Sequence, residues 1–185
     1  MSTRDLVLVA LFAAVIVAMG LMPPITLGFL PVPITLQTLG VMLAGVMLGP
    51  VRGGLAAALV VLLVVIGLPV LAGGRGGFGV ILGPTGGFLL GWIPGAVLTG
   101  WIMKRFAGAG AWRPADVGIA FLACVAGGIG AIYALGIPWL SAVTGMAMTQ
   151  AAIGSAAFLP GDLAKAVVAA LVARGVHRAY PLALR

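Results

Sequence analysis

The chain has 185 residues, 63% of them apolar and 7% charged, where an ordinary soluble domain carries about 25% charged residues. So few charges cannot cover a water-soluble fold, which leaves an integral membrane protein. The net charge of +7 does not point to nucleic acid either, because the basic residues are dispersed and fall at predicted helix ends.

The apolar runs are long and continuous, which favours helices over the short alternating segments of a β-barrel. At ~20 residues per span plus loops, the length admits about six helices. The expected fold is an all-α integral membrane protein, one domain over residues 1–185, with six transmembrane helices and outer loops rich in proline and glycine. The first span runs from about Asp5 to Met22. It resembles a secretory leader, but no small-residue cleavage site follows, so it is read as retained. Ala10, Ala14 and Ala18 recur every four residues there. They line one helical face with small side chains, for packing inside the protein or for docking on a second membrane protein.

Pro23, Pro24, Pro31 and Pro33 exclude a regular helix between spans one and two. Span two covers about Ile34 to Leu48, with Thr35 as a candidate helix cap and Gln37 near the outer mouth. An amide inside a membrane segment needs a partner. Gly49-Pro50 begins a tight inner turn, and span three follows from about Leu55 to Val70. Then comes Gly73-Gly74-Arg75-Gly76-Gly77-Phe78-Gly79, a glycine-rich loop carrying a full charge, read as the mouth of a binding site. Span four, about Leu82 to Phe106, has glycines at 83, 87, 91 and 95, a stripe suited to close helix packing; Pro94 is expected to kink it. Span five runs from about Ala115 to Leu135, and the more polar stretch from Pro138 to Phe158 is read as interfacial or re-entrant. Span six begins at Pro160-Gly161-Asp162 and ends near Val176. Pro160 suits a first helical turn, and Asp162 suits the positive end of the helix dipole.

Six spans put both termini on one side. Arg4, Arg52, Lys104, Arg105, Arg113, Arg174, Arg178 and Arg185 then share that side, with only Arg75 and Lys165 opposite, so the termini are assigned to the cytoplasm. His177 falls in the basic tail as a surface histidine. The outer half keeps Arg75, Asp162 and Lys165. Asp162 and Lys165 share a helical face, and ionisable groups in a span point to a functional site. Asp162 neutralises one cation of the trio, and the other seeks an anion such as a small carboxylate ligand. Asp162 and Gln37 suit neutral donors and acceptors on the same ligand, and Phe78 and Trp139 offer apolar walls.

Enzymatic chemistry finds no support. Gly74, Gly76 and Gly79 match a dinucleotide fingerprint, but the flanks are membrane spans and no acid follows about twenty residues on. There is no Walker A sequence. One histidine, one cysteine and three acids, scattered, form no metal site and leave no nucleophile–base pair.

Three segments resemble one known family: Pro33 to Leu39 (PITLQTL), Gly76 to Gly79 with Gly83 to Gly87 (GGFG and GPTGG), and Pro160 to Lys165 (PGDLAK). Together they are similar to the BioY family, the biotin-binding S components of energy-coupling factor (ECF) transporters. The resemblance implies a six-helix subunit that binds biotin from the outer side in the membrane lipid and needs no cofactor. It implies a site of Arg75, Asp162 and Lys165, with Gln37, Thr35, Phe78, Gly76 and Gly77 around it. It also implies docking through Ala10, Ala14 and Ala18 on a transmembrane T component that works with ABC ATPases. Another vitamin, a self-contained secondary transporter and a structural membrane subunit are the competing expectations.

Overall fold

A computed structural model describes residues 1–107 and 112–179; Arg185 lies outside them. The order is α1 (Thr3–Met19), β1 (Ile25–Leu27), β2 (Leu30–Ile34), α2 (Gln37–Val65), α3 (Phe78–Leu82), α4 (Gly86–Phe106), α5 (Pro114–Cys124), a π-helical turn (Val125–Ala131), α6 (Ile132–Thr144), α7 (Met148–Ala156) and α8 (Leu159–Ala179). By length and composition, three described stretches can cross a membrane: Gln37–Val65, Gly86–Phe106 and Ala115–Thr144. The pair α7 and α8, bent by 51°, makes a fourth if it is one span.

The long α2 is not one straight rod. Gly49 sits at φ 82 and ψ −176, a left-handed conformation that costs glycine little, and Pro50 follows. A methyl group added to Gly53 would stand 2.8 Å from the Ala44 carbonyl oxygen and 3.0 Å from the Gly45 Cα. Residues eight apart on a straight helix are about 12 Å apart. The chain therefore reverses at Gly49-Pro50 into two antiparallel limbs, 37–48 and 51–65, in agreement with the turn expected there.

Helix α4 fills the groove of that hairpin. Gly45 faces the Ala96 carbonyl and Thr99, Gly54 faces Val97, and Gly100 lies against the Gly49 and Pro50 backbone. A side chain at Gly100 would overlap main-chain atoms that cannot move aside. Gly100→Ala is expected to destabilise the protein by about 1–3 kcal/mol through overpacking, read as a lower melting temperature in detergent. Gly118→Ala, where a Cβ meets open space, is the control and should melt as the parent does.

The glycines of α4 meet α6 and the π-helical turn before it: Gly87 lies against Trp139, Gly91 against Ile132, and Gly95 against the Gly127 carbonyl and Ile132. Close packing is thus their use. Gly83 is not part of the stripe, because it ends α3 in an extended conformation. Pro94 lies inside α4 without breaking it.

Other expectations need correction. Thr35 does not cap α2; Leu36 holds that position, with no side-chain cap. Span five continues past Leu135 to Thr144, since the π-helical turn is followed by further α-helix. The stretch from Pro138 to Phe158 therefore divides. Its first part ends α6, Gly145 turns the chain at φ 72, and α7 is a separate short helix. The proline-rich segment folds as a small antiparallel hairpin, with Ile25 opposite Ile34 and Leu27 opposite Leu30. His177 is half-buried, its ring 5.4 Å from that of Trp112.

Candidate functional site

One end of the bundle holds a cavity roofed by the β-hairpin and the loop after α2. Its walls include Val32 and Ile34 of β2, Thr38 of α2, Leu71 and Arg75 of the loop, Phe88 and Trp92 of α4, Tyr133 of α6, and Asp162 and Lys165 of α8. Phe88, Tyr133 and Phe158 meet edge to face, at ring separations of 6.0 to 6.4 Å, and form an aromatic wall.

The polar side of the cavity begins at the start of α8. Pro160 and Asp162 fall in its first turn, where a proline costs no hydrogen bond and a carboxylate meets the positive end of the helix dipole. Asp162 is 4% exposed. Its carboxylate accepts from the Tyr133 hydroxyl at 2.7 Å, from Lys165 Nζ at 2.8 Å and from Thr38 Oγ1 at 3.4 Å. Lys165 Nζ also donates to the Thr35 carbonyl at 2.7 Å and to Thr38 Oγ1 at 3.0 Å. An ammonium has three protons, so Lys165 is fully engaged, and its charge is balanced by Asp162.

Arg75 stands on another wall. Leu71 and Arg75 exchange backbone hydrogen bonds of 3.0 and 3.2 Å, which closes a tight turn through Gly73 at φ 77 and Gly74 at φ 68. Both glycines occupy the left-handed region that other residues rarely adopt. The turn aims the guanidinium inward. Nε donates to the Ala72 carbonyl at 3.2 Å and Nη1 to Thr85 Oγ1 at 3.3 Å, both neutral acceptors. Partial burial holds the Arg75 pKa below its ordinary value, with no carboxylate to offset it.

The chain has three acidic residues, and each has a cation beside it. Asp5 pairs with Arg52 at 3.4 Å, Asp116 with Arg113 at 3.1 Å, and Asp162 with Lys165 at 2.8 Å. None is left for Arg75.

Of the residues singled out in the sequence, Arg75, Asp162, Lys165, Thr35 and Gln37 all line this cavity. Thr35 contributes its carbonyl, and the Gln37 amide is turned into the protein. Phe78 is not among its walls; the residue is 58% exposed at the start of α3. Gly76 and Gly77 shape the loop instead: Gly76 presses on the Leu68 carbonyl, and Gly77, at φ 94, precedes α3. Trp139 donates to the Gly83 carbonyl at 3.0 Å and braces the loop from outside the cavity. Ala10, Ala14 and Ala18 lie on the opposite side of the molecule's first helix, all exposed, with exposed Val7 and Leu11 beside them.

The model of the BioY family matches residues 1–182. The chain belongs to the BioY family. It is 58% identical over 182 residues to the biotin transporter BioY of Rhizobium etli, an alignment covering 98% of this chain and 97% of that relative. It is 50% identical over 190 aligned positions to the biotin transporter BioY of Rhodobacter capsulatus, covering 98% and 97%. Among solved structures it resembles the 2.1 Å crystal structure of the S-component for biotin from an ECF-type ABC transporter, with a TM-score of 0.85 and 32% identity over 96% of this chain and 95% of that one.

Sequence reasoning missed Tyr133, Thr38, Thr85 and the aromatic wall of this BioY-family site. Tyr133 carried a usable signal, as one of two tyrosines in the chain and a polar group within an apolar span. Phe88, Trp92 and Phe158 carried none, because an aromatic in a membrane helix looks the same whether it faces lipid or a cavity.

Proposed function

We propose that this chain is the S component of an ECF-type biotin transporter: it captures biotin from outside and delivers it inward with a T component and ABC ATPases. The observation that carries the reading is the charge balance of the cavity. One side is a neutralised, hydrogen-bonded pair, Asp162 and Lys165. The other is Arg75, a cation with neutral partners only. Biotin matches this division. Its carboxylate suits Arg75, its ureido ring offers neutral donors and acceptors to the Asp162 side, and its apolar body suits Phe88, Trp92 and Phe158. Arg75 therefore takes the carboxylate, and Asp162, with Lys165 holding it in place, serves the ring.

In this reading the chain spans the inner membrane six times: α1, both limbs of α2, α4, the run from α5 through α6, and α8. The cavity faces outward and both termini lie in the cytoplasm, where the basic residues gather. Biotin enters, the loop and hairpin cover it, and the subunit tilts on the T component to bring the site inside. ATP hydrolysis by the partner ATPases resets it. Glycines at 73 and 74 allow the loop its tight turn.

The test is calorimetry of biotin with detergent-purified protein from biotin-depleted cells. Tight one-to-one binding is expected, and a folded sample that takes up no biotin would overturn the proposal. The exposed alanine face of α1 serves the T component. Ala14→Leu should leave biotin affinity unchanged while abolishing co-purification with co-expressed T component and ATPases. Co-purification at the parent's yield would remove that face from the interface.

A further inference from the structure

We infer that Gln37 is a positioning residue for Arg75, acting through the Ala72 peptide; this rests on the carboxylate-binding role proposed for Arg75. Gln37 is 1% exposed. Its Nε2 donates to the Val70 carbonyl at 3.0 Å and to the Ile16 carbonyl at 3.2 Å, which uses both amide protons. Its Oε1 accepts from the Ala72 N–H at 3.0 Å. The Ala72 carbonyl in turn accepts from Arg75 Nε at 3.2 Å. One residue, Ala72, thus receives the Gln37 amide on one side and holds the guanidinium on the other.

The arrangement does more than fill space. The turn 71–75 begins on buried Leu71 and Ala72, at 4% and 0% exposure, and its far end is tied by Arg75 Nη1 to Thr85 Oγ1 and by the Gly77 N–H to the Val64 carbonyl at 2.8 Å. The Leu71–Arg75 bridge closes the turn on itself but does not fix it to the bundle. Gln37 supplies the side-chain hydrogen bonds that set its orientation, to α1 at Ile16 and to both ends of the Val70 to Ala72 segment. A methyl group at Gly20 would stand 2.7 Å from the Val70 carbonyl and 2.9 Å from Gln37 Nε2, so the end of α1 closes over the amide. The peptide that holds the Arg75 guanidinium is thus oriented from the α1–α2 pair by the Gln37 amide, whose donors and acceptor are all spent on main-chain atoms.

The test separates positioning of Arg75 from general support of the cavity. Calorimetry would compare biotin with biotin methyl ester, which lacks the anion, on the parent, Gln37→Leu, Arg75→Ala and the double variant. Gln37→Leu is expected to lose roughly 10-fold in affinity for biotin, as for one misplaced charge-assisted hydrogen bond, and to keep the parent's affinity for the ester. In the Arg75→Ala background, Gln37→Leu should have no further effect, the non-additivity of residues that act as a unit. Equal losses for both ligands, or an undiminished loss without Arg75, would overturn the inference. Gln37→Met, of similar length and more flexible, replaces the leucine variant if that does not fold. Failure of both to fold would make Gln37 a residue of the fold and also overturn it. A parent that binds neither ligand would instead refute the biotin reading itself.

Discussion

Arg75→Ala is expected to lower affinity for biotin by roughly 100-fold, about 3 kcal/mol, the scale for truncating one member of a partly desolvated charge pair. The size follows from the neutrality of everything else around the guanidinium. Ala72 and Thr85 orient it without balancing its charge, and the chain's three acids all stand beside other cations. A carboxylate arriving there gains an attraction that nothing in the empty protein supplies. Arg75→Lys should recover only part of the loss, because a single ammonium cannot bond Ala72, Thr85 and a carboxylate in the planar fork a guanidinium offers. Calorimetry decides the matter, with biotin methyl ester as the control: its affinity should barely respond to Arg75→Ala. Equal effects on acid and ester would show that Arg75 does not meet the carboxylate.

Asp162→Ala has the largest expected effect on the fold as well as on binding. It removes the anion from beside Lys165, whose side chain is 11% exposed, and leaves that ammonium with the Thr35 carbonyl and the Thr38 hydroxyl. It also strands the Tyr133 hydroxyl. Breaking a buried pair from one side costs about 3–5 kcal/mol, because a charge is left uncompensated. The variant should melt at a clearly lower temperature and bind no biotin. Combining it with Lys165→Met removes the stranded charge. The double variant should regain much of the stability and none of the binding, since an apolar replacement of a buried pair can be near neutral for folding but offers a ureido ring no partners. Thermal unfolding of the two variants beside the parent, with calorimetry on each, separates these effects. A double variant no more stable than Asp162→Ala would mean that the pair's charge is not what the single substitution disturbs.

Much of this was legible in the sequence, for an identifiable reason. In a chain with 7% charged residues, each charge away from the basic end is conspicuous, and Arg75, Asp162 and Lys165 do line one cavity. The reversal at Gly49-Pro50 was legible because a proline after a permissive glycine ends one helix and starts another. Continuation of span five past Leu135 was not. It runs through the π-helical turn at Val125–Ala131, beside which Thr99 of α4 shares its one hydroxyl proton between the Gly95 carbonyl of its own helix and the Ala123 carbonyl of α5, and no local pattern encodes the contact between helices. Gln37 was read as a ligand group because its type and depth demanded a partner. The partners prove to be main-chain atoms of α1 and the loop, and long-range main-chain positions have no side-chain signature. The β-hairpin was hidden likewise, since prolines rule out a helix without specifying a pairing.

The reversal at Gly49 has a mechanical meaning. The first limb of α2 starts with Gln37 and Thr38, which reach the loop and the Asp162 cluster. The second limb ends where the chain sets out towards Arg75. Two opposed walls of the cavity are therefore hung from the two arms of one short lever. Its fulcrum is a turn with no slack, wedged against Gly100. Reorienting such a body in the membrane moves both walls together, so a bound molecule can be carried as cargo without its container opening on the way.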